Sequence, residues 1–239
     1  AASDVYKRQL FDQFDEITLT YLGNPYIIND LIVPESKTLI IESKTAIRIK
    51  KQGEIQINGT LLAEAKKETD EKIVFTSFFD EDYDGEGIEG NATNYWNKIY
   101  FSPSSMDSKM ENVLMRYTKN GFEAEKSSLE FKNSIIEDFD GDAIKLTDSF
   151  SPIEKITVQN GKGRAVVING GEPIVRESVF RNITSGQYVG TGMYIGSESK
   201  AQITDNYFEK IFRAFEANPL LGIASGYVFE EGMSLIDHN

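Results

Sequence analysis

The feature that most constrains this fold is a pattern that recurs in the second half of the chain: a small residue followed by alternating aliphatic residues. The small residues are Ala143, Ala165, Gly192 and Ala214, spaced by 22, 27 and 22 positions. Recurrence at about 20–50 residues is typical of a solenoid, in which each unit buries its apolar face against its neighbours. We therefore predict that these four residues stack over one another.

The first half of the chain consists of short segments in which apolar residues alternate, as in Ile47 and Ile49. This period of two is typical of strands with one buried face, and residues with turn chemistry separate the segments. A β-sandwich also has short strands at regular spacing, but the later repeat favours a solenoid. The predicted strands are Leu31–Val33, Thr38–Ile41, Ala46–Lys50, Glu54–Ile57, Thr60–Ala63, Ile73–Thr76 and Lys98–Phe101.

A second recurring pattern is a strand followed by asparagine, at Asn133, Asn160, Asn182 and Asn206. An asparagine at an inward corner can form hydrogen bonds with its own turn of the solenoid and with the next, because its amide both donates and accepts. The pattern therefore predicts an asparagine ladder inside the solenoid. The alternative is that these are ordinary turn residues.

The first half also carries a series of motifs that resembles the opening turns of bacterial right-handed parallel β-helix proteins of the pectin-lyase-like superfamily. Serine or alanine replaces the usual glycine at Ser36, Ser43 and Ala65, which affects the expected turns rather than the fold. The resemblance implies an all-β, single-stranded right-handed parallel β-helix. The motifs are Pro34, Leu39, Asn58-Gly59-Thr60-Leu61, Phe75-Thr76-Ser77 and Trp96.

Both ends of the sequence suggest a fragment. Residues 1–9 read as translated sequencing-adapter DNA, which would make the chain a metagenomic open reading frame. Residues 234–239 resemble the start of a further turn, like residues 202–206. We therefore expect a β-helix domain over residues 10–239, truncated at both ends, with an acidic insertion at residues 78–97.

The composition restricts the classes of partner. The chain has 25 basic and 38 acidic residues, for a net charge of −13. Such a chain repels phosphate backbones, so nucleic acid is excluded as an expected partner. The sequence has no cysteine, which excludes disulfides and thiol catalysis. No apolar run is long enough to span a bilayer, and we expect a monomer.

The acidic insertion contains a possible calcium loop. Asp80, Asp82 and Asp84 occupy alternate positions before Gly85, as at the start of a calcium-binding loop. Position twelve of that loop would be Asn91 rather than glutamate, and strands rather than helices flank it. The sequence therefore predicts Asp80, Asp82 and Asp84 as calcium ligands, with a solvated acidic loop as the alternative.

Aromatic and basic residues suggest a glycan-binding surface. Tyr83 and Tyr95 lie near the two ends of the insertion, where exposed rings could stack on sugar faces. Arg164, Arg176 and Arg181 recur in the later turns, where they could line one face and bind a uronate carboxylate. The alternatives are that the aromatic residues are core or loop anchors, as the resemblance implies for Trp96, and that the arginines are solvated.

The sequence leaves several functions open because one fold can host many. We expect a bacterial protein that is exported or displayed at the cell surface and acts as a recognition or scaffold module. Its expected partner is a polysaccharide or a cell-surface glycan, and no catalytic residue is assigned. The alternative that the resemblance implies is a polysaccharide lyase or glycoside hydrolase. A purely structural stalk is the third hypothesis. An enzyme predicts carboxylates and basic residues in one groove, whereas a binder predicts exposed aromatic rings.

Overall fold

The fold is a coil of short parallel strands, shown by a computed structural model that describes residues 11–66, 71–83, 94–184, 190–211, 213–217 and 227–228. Short 3-10 helices lie at Tyr21–Gly23 and Glu81–Tyr83. The strands are β1 Glu16–Leu19, β2 Tyr26–Ile28, β3 Leu31–Val33, β4 Thr38–Ile41, β5 Ala46–Ile49, β6 Ile55–Ile57, β7 Thr60–Glu64, β8 Ile73–Ser77, β9 Ile99–Phe101, β10 Ser108–Glu111, β11 Val113–Arg116, β12 Phe122–Glu125, β13 Leu129–Lys132, β14 Ile135–Glu137, β15 Asp140–Ser149, β16 Pro152–Glu154, β17 Thr157–Gly171, β18 Ile174–Arg176, β19 Val179–Thr184, β20 Thr191–Ile195, β21 Gln202–Thr204, β22 Tyr207–Ile211, β23 Arg213–Ala217 and β24 Tyr227–Val228.

Successive strands take turns on three faces, so that three strands make one coil. Face A contains β1, β4, β7, β10, β13, β16, β18 and β21. Face B contains β2, β5, β8, β11, β14, the first part of β17, β19, β22 and β24. Face C contains β3, β6, β9, β12, β15, the second part of β17, β20 and β23. Each strand pairs in parallel with its equivalent one coil away, which is the arrangement of a parallel β-helix.

Faces B and C belong to one hydrogen-bonded sheet because β17 bends around the corner between them. β17 pairs with β14 and β19 on face B, and with β15 and β20 on face C. The bend includes Gly163, whose φ is +122°. A Cβ at this position would lie 2.2 Å from the carbonyl oxygen of Gly141, so only glycine fits there.

The predicted stacking is confirmed by the strand register. On face C, Ile144 pairs with Val166, Val166 pairs with Met193, and Met193 pairs with Phe215. The residue before each of these is one of the four small residues, so Ala143, Ala165, Gly192 and Ala214 form one column. The predicted strands of the first half also agree with the observed ones to within one residue at each end.

Apolar side chains fill the interior of the coil. One column on face A runs through Met110, Phe131, Ile153 and Val175, all of which are fully buried. The ring of Phe131 meets that of Phe122 edge to face, with centroids 5.0 Å apart. Burying one such side chain stabilises the fold by about 1.5–3 kcal/mol, so repetition along the coil builds a core without any helix.

The asparagine prediction holds at only one of its four positions. Asn206 is buried at the corner between faces A and B, where it donates to Val175 O and accepts from Ser178 N at 3.1 Å. Asn133, Asn160 and Asn182 instead have φ near +50° and occupy left-handed turn positions. A bridge between coils still occurs at the surface, where Asn182 Nδ2 donates to Asn160 Oδ1.

The acidic insertion lies between β8 and β9, at the corner between faces B and C. The structure describes residues 78–83 and 94–97 of it. Trp96 is fully buried, and its Nε1 donates to the carbonyl of Arg116 at 3.0 Å. The ring therefore anchors the returning end of the insertion to the next coil. No helix within the described residues is long and apolar enough to cross a membrane.

Candidate functional site at the acidic insertion

A second apolar cluster lies on the outside of face B, separate from the interior core. It contains the buried side chains of Ala46, Val74 and Leu114, with Tyr83 and Ile135 packed against them. Side chains alternate between the two sides of a strand, so these outward positions would ordinarily face solvent. They are covered here because the insertion brings Tyr83 over the face.

Arg116 attaches the insertion to β11. Its Nε and Nη2 donate to the two oxygens of Asp80, both at 2.7 Å, and Nη2 also donates to Asp82. Asp80 is only 1% exposed and further accepts a hydrogen bond from the Thr76 hydroxyl. Two-point pairing of this kind is strong and directional, so it determines where the insertion leaves the coil.

Two tyrosine rings flank the Arg116 guanidinium. Its Cζ lies 5.5 Å from the ring centroid of Tyr83 and 4.8 Å from that of Tyr117. Burial lowers the pKa of Arg116, but the hydrogen bonds with Asp80 and Asp82 and the charge of Asp80 outweigh this effect and raise the pKa above its ordinary value. The guanidinium is therefore a permanent cation that orients the Tyr83 ring.

A shallow groove of about 470 Å³ opens on face B beside this cluster. Val74, Leu114 and Ile135 contribute its apolar lining, and Tyr83 lies at its side. Its charged lining residues are Lys44, Glu71, Lys72 and Glu137. Half of the eight lining residues are charged, so the groove combines an apolar surface and an aromatic ring with groups that can form hydrogen bonds to a polar ligand.

Tyr95 and Asp138 lie at the same corner of the coil. Burial raises the pKa of the Tyr95 hydroxyl, and the charges of Asp140 and Asp138 raise it further. Burial also raises the pKa of Asp138, and the neighbouring Glu137 charge adds to the effect, while Arg116 opposes it. The structure thus places both predicted tyrosines near the Arg116 and Tyr117 pair, with Tyr83 in contact with Arg116 and Tyr95 under the electrostatic influence of Tyr117.

The predicted calcium ligands have another partner in this structure. Asp80 and Asp82 both pair with Arg116, and Asp84 lies outside the described residues. A calcium ion at this loop would have to displace the guanidinium from both carboxylates. The described residues contain no group of three or more histidine, cysteine, aspartate or glutamate side chains that could hold a metal ion. Calcium binding stays a prediction.

The three arginines expected on one face lie on three different faces. Arg164 lies on face C, where its Nε donates to Asp142 at 2.7 Å. Arg176 lies on face A beside Glu154, with a 2.8 Å ion pair, and Arg181 lies on face B. Because each face points in a different direction, Arg164 and Arg176 do not share a binding surface with Tyr83.

One family is shown by comparison with known proteins. The sequence model of the family described as right-handed β-helix region matches residues 84–226, more than half of the chain. The chain belongs to the right-handed β-helix family. No curated protein and no solved structure matches the chain. The family match supports the pectin-lyase-like resemblance at the level of the superfamily.

The outer side of face C in this β-helix carries a network of paired charges. Glu123 accepts hydrogen bonds from Lys98 at 2.7 Å and from Lys145 at 2.6 Å. Burial raises the pKa of Glu123, but these two lysines lower it more, so the net pKa lies below its usual value. Burial and a hydrogen bond to Glu125 raise the pKa of Tyr100 to about 12. These polar groups satisfy one another across neighbouring coils.

Sequence reasoning missed Arg116 and the outward apolar positions of face B. Arg116 has no equivalent at the matching position of the next coils, which are Glu137 and Gln159. Repeat spacing therefore gives no signal for it. The outward apolar residues do carry a signal, because Ile135 lies 21 residues after Leu114 and Val179 lies 44 residues after Ile135, which are the spacings of one and two coils. This pattern is harder to recognise because the interior apolar residues repeat at the same spacing and are more numerous.

Proposed function

We propose that this β-helix is a non-catalytic recognition module that binds glycan and is exported or displayed at the bacterial cell surface. The observation that carries the proposal is the face B groove, with an apolar lining, the Tyr83 ring and a charged rim. The apolar face of a sugar ring suits Tyr83, while its hydroxyl groups suit carboxylates and amines such as Glu137 and Lys72.

The charge of the molecule favours a neutral glycan over an acidic one. The net charge is −13, and the two arginines that were predicted to bind uronates are paired with Asp142 and Glu154. A polyuronate would therefore be repelled at long range and would meet arginines that already have carboxylate partners. Neutral polysaccharides carry no such penalty.

A panel of immobilised polysaccharides tests the proposal: cellulose, xylan, mannan, chitin and polygalacturonate. We expect the protein to be retained on at least one neutral polymer and not on polygalacturonate. The Tyr83→Ala variant should lose retention, whereas Tyr83→Phe should keep it because the ring remains. Tyr194→Ala, on face C, is the matched control for loss of a tyrosine elsewhere. Retention of the wild type on no polymer would reject glycan binding and favour a structural stalk.

The enzyme alternative rests on Asp138. A carboxyl with a raised pKa beside Arg116 is a suitable proton donor in cleavage of a sugar polymer. Incubation with the same polysaccharides distinguishes the two functions. Release of reducing or unsaturated sugars that stops in Asp138→Asn would establish a lyase or hydrolase, and no release would support the binding module.

A further inference from the structure

A second groove, of about 560 Å³, opens on the outer side of face A at its corner with face B. Its floor contains the half-buried side chains of Ile40 and Leu62, which pair with each other on neighbouring strands. Tyr21, which lies on the coil before and is 51% exposed, lines one side. Lys44 and Glu71 form an ion pair at 2.5 Å and line both this groove and the one on face B. The two grooves are therefore neighbours with a shared wall.

Two glutamates lie beside the apolar floor of the face A groove. Glu42 and Glu64 each follow the apolar residue of their coil by two positions, so they project on the same side of the sheet and line the groove. Both are exposed, and within the described part of the chain neither carboxylate has an ion pair or a hydrogen bond. Since successive coils are about 4.8 Å apart, two negative charges lie close together here.

The same position of face A carries compensated charges on the later coils. After Glu64, the residues in register are Glu111, Lys132, Glu154 and Arg176. Glu154 pairs with Arg176 at 2.8 Å, and Glu111 accepts a hydrogen bond from Asn133 at 2.6 Å. Like charges at directly paired positions destabilise a sheet. The arrangement of Glu42 beside Glu64 is therefore unfavourable by itself, and a bound cation would relieve it.

We infer that the face A groove binds a small organic amine, with its ammonium group between the two glutamates and its apolar body on Ile40 and Leu62. The carboxylates are two residues along a strand from the apolar pair, which is roughly 7 Å. A chain of about five carbons covers this distance, since carbon–carbon bonds are about 1.5 Å long. The ligand therefore lies across the coil axis. Tyr21 adds an aromatic face, which attracts a cation or an apolar group.

Two features of the groove favour an amine over a metal ion or a neutral sugar. A calcium ion takes about six to eight oxygen ligands, whereas this groove offers two carboxylates beside an apolar floor. A neutral sugar would leave both negative charges uncompensated. The net charge of −13 also attracts cations to the molecule at long range. The inference does not rest on the proposed function, which concerns the other groove.

Three probes with the same alkyl chain and different head groups test the inference: hexylamine, hexanol and hexanoate. Each is titrated into isotope-labelled protein at about 0.15 M salt, where long-range attraction is largely screened, and binding is followed by the NMR shifts of face A residues. We expect hexylamine to bind at least about tenfold more tightly than hexanol, and hexanoate not to bind. Equal binding of hexylamine and hexanol, or no binding of hexylamine, would overturn the inference.

Charge-matched variants locate the ammonium group. Glu42→Gln and Glu64→Gln should each weaken hexylamine binding by about fivefold, because each removes one of the two carboxylates. Glu35→Gln, at an exposed residue just before β4, is the control and should change binding by less than about twofold. Equal weakening in all three variants would indicate general attraction to an acidic protein and would overturn the site. Melting temperatures of the variants identify any effect on folding.

Tyrosine variants separate this site from the proposed glycan site. Tyr21→Ala should weaken hexylamine binding by about threefold and keep polysaccharide retention, whereas Tyr83→Ala should keep hexylamine binding. Loss of hexylamine binding in Tyr83→Ala alone would place the amine in the face B groove and overturn the inference. Because hexylamine binding is measured directly, a failure of the polysaccharide panel leaves this result unaffected.

Discussion

The coils that carry the insertion and the regular coils that follow share an interior but differ outside. In both, buried aromatic and aliphatic residues such as Phe75 and Phe131 stack along the axis. In the insertion region, the outward residues Val74 and Leu114 are also buried, because Tyr83 packs over them. In the regular coils, the equivalent residue Val179 remains partly exposed.

This difference shows that the strand repeat builds the coil but does not determine what its outer faces do. The same outward position is part of a second apolar cluster where an inserted segment covers it, and is partly exposed to solvent where none does. Four predictions test this comparison, starting with the largest expected effect.

The interior should be equally important in both regions. Phe75→Ala and Phe131→Ala should each lower the free energy of unfolding by about 3–5 kcal/mol, because each leaves a cavity among fully buried side chains. Urea titration followed by circular dichroism measures this. A much smaller loss in one variant would show that the two regions do not share one continuous core.

The contribution of ion pairs to stability should differ between the two regions. Asp80→Asn should destabilise the fold by about 3 kcal/mol, because Arg116, which is largely buried, would lose its buried charge partner and keep only the exposed Asp82. Glu154→Gln removes the partner of Arg176, whose side chain is 46% exposed, and should have an effect below about 1 kcal/mol. Urea titration of the two variants provides the comparison. Equal losses would contradict a specific role for Arg116 in holding the insertion.

The contribution of an outward apolar residue to stability should depend on whether the insertion covers it. Leu114→Ala should lower the free energy of unfolding by about 2–3 kcal/mol, because the side chain is 9% exposed beneath the insertion. Val179→Ala, at the equivalent outward position of face B in a regular coil, should change it by less than about 1 kcal/mol because this side chain is partly exposed. Thermal melts in parallel test both. Equal effects would mean that the insertion does not protect face B.

The smallest expected effect is a pH dependence at the insertion corner. The pKa of Asp138 is raised in the folded state, so its stabilising contribution is present below its unfolded pKa of about 3.9 and is lost as pH rises through the folded value. Asp138→Asn should therefore raise the melting temperature at pH 7 by about 1–2 °C and give no gain at pH 3. Asp148→Asn is the control, since Asp148 also has a positive φ. A gain in both variants would indicate a turn effect instead of charge repulsion.

The sequence predicted the architecture because the coil repeats a physical requirement. Each coil must place apolar residues inward, and Ala143, Ala165 and Gly192 repeat at the spacing of one coil. The calcium ligands and the glycan remain predictions, because a ligand leaves no comparable periodic signal. The expectation that Arg164 and Arg176 line one face was wrong, because spacing along the chain does not say which of three faces a residue occupies. Their role in binding stays a prediction.

The insertion resisted prediction for a related reason. Arg116 contacts Asp80 and Tyr83 only in the folded chain, because 36 residues separate Arg116 from Asp80. Asn133 and Asn206 also show that one sequence pattern can serve different positions of a turn. Local chemistry alone did not distinguish a left-handed turn residue from the buried residue that follows such a turn.

The even spacing of the regular coils has an evolutionary consequence. Phe131, Ile153 and Val175 are 22 residues apart and pair directly, so removing or duplicating one such unit would bring equivalent corners back together. The gene can therefore lengthen or shorten the protein by whole units without redesigning its packing. An insertion at one corner can diversify independently, because the rest of the rod does not depend on its length.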